Sequence, residues 1–179
     1  MRVAALVAGR WERSKWEGVE LVDKTLAVIG LGRIGKLVAD RAKAFGMRLI
    51  AYDPYVSAER ARQMGVELVP LDQAITEADF LTVHLPKTKE TTGLINRDLL
   101  MKAKPSLRVI NVARGGIVDE DGLAECVRDG IIAGAAIDVF TKEPTTESPL
   151  FELDRVVVTP HLGASTREAQ DKAGDTIAD

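Results

Sequence analysis

The chain is 179 residues long, with 46% hydrophobic and 28% charged residues, proportions that fit a globular domain with a sizeable core and exclude a disordered or collagen-like chain. Twenty-four Lys and Arg against 27 Asp and Glu leave a net charge of -3. That is too little positive field to hold a phosphate backbone unselectively, so no nucleic-acid partner is expected. Cys126 is the only cysteine and cannot form an internal disulfide, and no apolar run approaches the roughly 18 residues of a membrane span, so a cytoplasmic location with no membrane partner is expected.

Residues 1–22 read as a helix end and an extended arm. The apolar start, Met1 to Gly9, is too short for a secretion signal before Arg10 and Trp11, and its abruptness is that of a piece of a longer chain. From residue 23 onward, short β-branched runs alternate with amphipathic stretches. The predicted strands are Thr25 to Ile29, Arg48 to Tyr52, Glu67 to Val69, Phe80 to His84, Arg108 to Val112, Ala135 to Val139 and Val156 to Thr159. This alternation predicts an α/β fold: a doubly wound parallel sheet of Rossmann type, about seven strands with helices on both faces. The first six strands are expected in the order 3-2-1-4-5-6, with the seventh beyond the sixth.

Between the first two strands, Ile34, Leu37, Val38, Ala42 and Phe45 share one helical face, Lys36, Asp40 and Lys43 the other, and Gly46 stops the helix. The first of these faces is the expected buried one. Ser57 is expected to start a helix over Ala58 to Gln63, and Asp119 one over Glu120 to Arg128. Ser165-Thr166-Arg167-Glu168 has the form of a capping box opening a final helix towards Ala178. Lys87 to Thr92, after Pro86, reads as a loop at a strand end.

Gly30-Leu31-Gly32-Arg33-Ile34-Gly35 matches G-x-G-x-x-G between a predicted strand and a predicted helix, the context dinucleotide binding requires. Gly30 permits the tight turn, Gly32 lets a pyrophosphate approach the backbone, and Gly35 lets the helix pack closely. The helix-start amides, those of Arg33 and Ile34 among them, are then the expected phosphate donors. Asp53 ends the second strand 18 residues beyond Gly35, where a carboxylate can accept from the ribose 2′-hydroxyl, so NAD is expected and not NADP. S-adenosylmethionine is the chemical rival, but it would not need the second and third glycines at this spacing. A turn or capping aspartate is the plain structural alternative.

The substrate-handling candidates lie at the ends of later strands. Arg114 precedes Gly115-Gly116 and carries a fork of donors suited to a carboxylate. His161 follows the seventh strand and is the side chain whose free pKa is closest to neutral, and Glu143 could orient its ring. Each also has an ordinary reading, as a surface charge, a structural histidine and loop filler. His84 is read as structural. Two distant histidines and one cysteine form no ligand cluster, so no metal is expected.

These strings, with Tyr52-Asp53-Pro54, His84-Leu85-Pro86, Ala113-Arg114-Gly115-Gly116, Asp138-Val139-Phe140, Glu143-Pro144 and Pro160-His161-Leu162-Gly163-Ala164, resemble the NAD-dependent D-2-hydroxyacid dehydrogenase family from about Trp11 to the C-terminus. Trp11-Glu12-Arg13, Trp16-Glu17-Gly18 and His161 to Thr166 look like its phosphoglycerate-oxidising subgroup. The resemblance implies Arg114 on the substrate carboxylate, His161 as acid/base with Glu143 as its partner, and Asp138 at the nicotinamide amide. It also implies Pro86, Ala113 and Gly163 along the cofactor. It implies reversible oxidation of a 2-hydroxy acid, the first step of serine biosynthesis for the phosphoglycerate subgroup, and a homodimer through the cofactor domain. The family's substrate-binding lobe is not among these residues, so 23–179 reads as the dinucleotide-binding domain by itself. Corepressors resembling the same family can keep Arg114, Glu143 and His161, so an NAD-sensing interaction module without turnover is the other expectation.

Overall fold

The computed structural model describes residues 6–12 and 17–169. Seven strands, β1 (Thr25–Ile29), β2 (Arg48–Tyr52), β3 (Glu67–Leu68), β4 (Phe80–Val83), β5 (Arg108–Asn111), β6 (Gly134–Ile137) and β7 (Val156–Val158), form one sheet ordered β3-β2-β1-β4-β5-β6-β7. Every neighbouring pair is parallel. The expected order is therefore the observed one, and the order in which strands are added to the sheet reverses between β1 and β4. Ligands of open α/β sheets bind at such a point, outside the carboxyl ends of the strands.

Five helices cover the sheet: α1 (Arg33–Ala44), α2 (Ala58–Gln63), α3 (Leu71–Glu77), α4 (Arg97–Leu100) and α5 (Glu120–Arg128). Successive strand residues point to opposite faces, and β1 shows the result. Leu26 and Val28 join a cluster with Ala39, Ala42 and Ala61 of α1 and α2, while Ala27 and Ile29 join the larger cluster with Ile75, Leu100 and Leu123 of α3, α4 and α5. Both faces of β1 are thus covered, whereas on the α1 side Ile110 and Ala136 are only half-buried and Val157 is exposed.

The inner face of α1 is only in part the expected one. Ala42 is buried and Val38 packs against the core as expected, but Gly35 and Ala39 are buried too, whereas Ile34, Leu37 and Phe45 are exposed. The helix lies so close to the sheet that a Cβ on Gly35 would come 2.0 Å from the Gly30 carbonyl oxygen. Only small side chains fit that approach, and the large apolar ones turn outward. Gly46 ends the helix at φ 73°, as expected.

Five of the strands stop one or two residues short of their expected ends. α3 and α4 were not anticipated. α3 follows Pro70, and α4 is a single turn begun by Asn96, whose side chain accepts from the Leu99 amide at 3.0 Å. The final helix starts at Thr166, whose Oγ1 accepts from the Ala169 amide at 3.1 Å, one residue later than the Ser165 start. Its continuation towards Ala178, and Arg13 and Trp16, lie outside the described residues.

Candidate cofactor and acid/base site

The glycine loop joins β1 to α1, and its three glycines are required for different reasons. Gly30 has φ 99°, and a Cβ there would lie 2.8 Å from the His84 carbonyl carbon. Gly35 is forced by helix packing. A Cβ on Gly32, the N-cap of α1, would meet no protein atom within 4 Å. Nothing in the fold demands glycine at Gly32, and a group lying against the backbone would. Gly32 offers no side-chain cap to α1, and no acidic residue stands in its first turn, so the amides of that turn are not capped by a side chain and suit a phosphate.

Asp53 stands beside this loop at the end of β2. Its Oδ2 accepts from the Leu31 amide at 2.8 Å and its Oδ1 from the Tyr55 amide at 2.8 Å. Each carboxylate oxygen has a second lone pair, so the acid braces the loop and can still accept a hydroxyl. His84, at the end of β4, meets Thr82 Oγ1 through Nε2 at 2.9 Å, and burial pushes its pKa down, in keeping with a structural residue. Pro86 follows at the exposed start of the next loop, where its carbonyl accepts from Thr91 Oγ1 at 2.7 Å.

Arg114 lies on the turn after β5. Asn111, 1% exposed, closes that turn: its Oδ1 accepts from the Ala113 amide at 3.1 Å and its Nδ2 donates to the Arg114 carbonyl at 3.0 Å. The turn packs directly on the chain after β6, since a Cβ on Gly115 would be 1.8 Å from the Phe140 carbonyl oxygen. The Arg114 guanidinium is exposed and donates to the Ala113 carbonyl at 2.6 Å.

His161 follows β7 at φ 57°, a left-handed conformation uncommon for a residue with a Cβ and typical of sites where geometry is imposed. The loop after β7 is imposed on by Asp138, 3% exposed, whose carboxylate accepts from Thr159 Oγ1 and from the Leu162 and Gly163 amides, the latter two at 2.7 Å each. Burial opposes ionisation of Asp138, but these three donors outweigh it and hold its carboxyl below the usual range. The imidazole Nδ1 of His161 lies 2.7 Å from Glu143 Oε2, and Glu143 Oε1 accepts from the Phe140 amide at 2.7 Å. Those two bonds, His161 first, hold the Glu143 carboxyl below its ordinary value. Beside the pair opens a cavity of about 510 Å³ walled by Phe140, Pro144, Phe151 and Val158.

The arrangement brings Arg114, Glu143 and His161 to adjoining loops on the carboxyl side of β5, β6 and β7. The glycine loop and Asp53 stand on the carboxyl side of β1 and β2. Among the described residues no group of three or more His, Cys, Asp or Glu could hold a metal ion, and no helix is long and apolar enough to cross a membrane. Sequence reasoning missed the bracing by Asn111 and Asp138. The available signal was a polar side chain ending an otherwise apolar strand, which must find partners when buried.

The family model for the D-isomer specific 2-hydroxyacid dehydrogenase NAD-binding domain matches residues 3–163. The chain belongs to that family. Its cofactor is accordingly NAD, as expected. A D-3-phosphoglycerate dehydrogenase of Mycobacterium leprae is 57% identical over 176 residues, which are 98% of this chain and 33% of that protein. A protein of the same name from Archaeoglobus fulgidus is 54% identical over 172 residues, 96% of this chain and 33% of its own length. The chain therefore spans about a third of the curated relatives it matches. Among solved structures, a glyoxylate reductase from Paecilomyes thermophila superimposes with a TM-score of 0.88 at 31% identity, covering 96% of this chain and 52% of that one.

Proposed function

We propose that the chain is the cofactor-binding and acid/base half of a dehydrogenase that interconverts a D-2-hydroxy acid and its 2-keto acid, with 3-phosphoglycerate as substrate. The observation that carries this reading is the 2.7 Å contact between His161 Nδ1 and Glu143 Oε2 on the rim of the sheet. The names of the similar proteins support the substrate class and, through it, a place at the entry to serine biosynthesis.

In this reading Gly30, Gly32 and Gly35 shape the dinucleotide turn, the Arg33 and Ile34 amides hold the pyrophosphate, and Asp53 accepts from the ribose. Pro86, Ala113 and Gly163 flank the nicotinamide end, and Asp138 meets its amide. NAD, when bound, would supply the acceptor for the hydride that leaves the substrate carbon. Arg114 holds the substrate carboxylate with two parallel donors. His161 takes the hydroxyl proton on Nε2 as the carbonyl forms, while its Nδ1–H donates to Glu143, whose charge stabilises the imidazolium. In reduction the protonated ring returns that proton to the carbonyl oxygen.

Pairing of two copies through the cofactor domain is supported by the exposed side chains of Trp11, Ile34, Leu37 and Phe45. Light scattering checks it, and a monomer mass at high concentration overturns it.

A thermal titration of the 179-residue chain with NAD, beside an NADH-absorbance assay of the intact protein on 3-phosphoglycerate, tests the main reading. Stabilisation of about 2.7 kcal/mol is expected at a hundredfold excess over the dissociation constant. Binding without turnover by the intact protein would support an NAD-sensing module instead, and no stabilisation would remove the cofactor site.

A further inference from the structure

Helix α5 begins with Glu120, whose carboxylate is not spent on its own helix. Oε1 accepts from the Thr141 amide at 2.6 Å, and Oε2 stands 3.5 Å from Ser148 Oγ. Thr141 and Ser148 bracket the segment that carries Glu143. One peptide earlier, the Phe140 amide donates to Glu143, whose other oxygen meets His161. The same Phe140–Thr141 peptide is pressed from the other side by Gly115, next to Arg114: a Cβ on Gly115 would lie 2.7 Å from the Thr141 nitrogen. Two consecutive amides are thus held by two carboxylates, one from within the segment and one from α5.

We propose that Glu120 is a positioning residue, a carboxylate at the start of α5 that fixes the Phe140–Thr141 peptide so that Glu143 meets His161. This rests on the reading of His161 and Glu143 as the acid/base pair. Glu120 acts through Glu143 and touches neither His161 nor the glycine loop by any hydrogen bond in the structure. The competing explanation is that an acidic side chain in the first turn of α5 simply complements the positive end of the helix. The two explanations need different properties of the side chain. Positioning needs an acceptor that reaches Thr141, whereas the helix end needs only negative charge.

Glu120→Gln keeps the reach and loses the charge, and Glu120→Asp keeps the charge and shortens the reach by one methylene. Aspartate suits the first turn of a helix, so the second variant folds. The readout is the pH titration of the Glu143 carboxyl carbon by NMR in the 179-residue chain. Glu120→Asp is expected to raise the midpoint of Glu143 towards that of a free glutamate, and Glu120→Gln to leave it at or slightly below the wild-type value. Removing a neighbouring negative charge can only lower the midpoint, so a rise reports a lost contact and not a changed field. A midpoint unmoved by Glu120→Asp, or raised equally by Glu120→Gln, overturns the proposal.

In the intact protein, Glu120→Asp is expected to lower kcat by roughly tenfold with KM for NAD unchanged, and Glu120→Gln to keep kcat near the wild-type value. A shifted Glu143 titration with unaltered kcat leaves the tether standing and overturns the acid/base reading, so the two failures are distinguishable.

Discussion

Leu31 and Asp53, 22 residues apart, are joined by a 2.8 Å hydrogen bond from the Leu31 amide to Asp53 Oδ2. The acid proposed to select the cofactor therefore also holds the loop proposed to bind it. Asp53→Ala is expected to shrink the preference for NAD over NADP in calorimetry. It should also lower the stability of the free chain by about 1–3 kcal/mol, because the Leu31 and Tyr55 amides lose their acceptor. Equal affinities for the two nucleotides in the wild type would remove the selecting role.

The glycines separate binding from folding. Gly32→Ala meets no protein atom, so urea denaturation should show a change within about 0.5 kcal/mol while NAD affinity falls by tenfold or more on the order of a lost phosphate contact. Gly35→Ala forces a methyl to within 2.0 Å of the Gly30 carbonyl and should cost roughly 1–3 kcal/mol or more of stability before any ligand is added. Matching losses of stability in the two variants would contradict this division.

Asp138 and Glu143 both have carboxyl pKa values lowered in the folded chain. Each therefore contributes stability that is fully present above the unfolded pKa and is lost as pH falls through the folded value. Denaturation curves between neutral pH and pH 3 should show wild-type stability dropping below about pH 4, near the ordinary carboxyl range. Asp138→Asn, less stable at neutral pH, should show a shallower drop. A parallel drop in the variant would mean that Asp138 does not keep its charge in the fold.

His161→Asn is a clean test of the acid/base role because asparagine tolerates the left-handed backbone that His161 adopts at φ 57°. Turnover in the intact protein should fall roughly a hundredfold to ten-thousandfold, with NAD affinity retained and the histidine limb gone from the pH–rate profile. A profile with that limb intact would assign the proton transfer elsewhere.

The glycine loop, the place of Asp53 and the strand order could be read from the sequence because each rests on local spacing or on the alternation of elements, whereas Arg114, Glu143 and His161 could be placed at strand ends but owe their proposed roles to the family resemblance. The inward face of α1 could not be read in this way. Counting large apolar side chains favours Ile34, Leu37 and Phe45, but the helix sits too near β1 for them, and that distance is a tertiary fact. The same limit hid what Asn111, Asp138 and Glu120 hold. A turn's unpaired amides appear only when the chain is folded, and the polar side chains that satisfy them look ordinary in a string of letters.

The nucleotide turn is latched at three points: Gly30 donates to the Tyr52 carbonyl at 2.9 Å, Leu31 donates to Asp53, and the backbone at Gly30 lies against that of His84. A turn held in this way is expected to keep its shape when its ligand arrives. Association with the dinucleotide is then expected in a single kinetic phase whose observed rate rises linearly with concentration, and a plateau in stopped-flow traces would reveal a slow rearrangement instead. Differences in affinity among variants of this loop are expected to lie in how fast the ligand leaves.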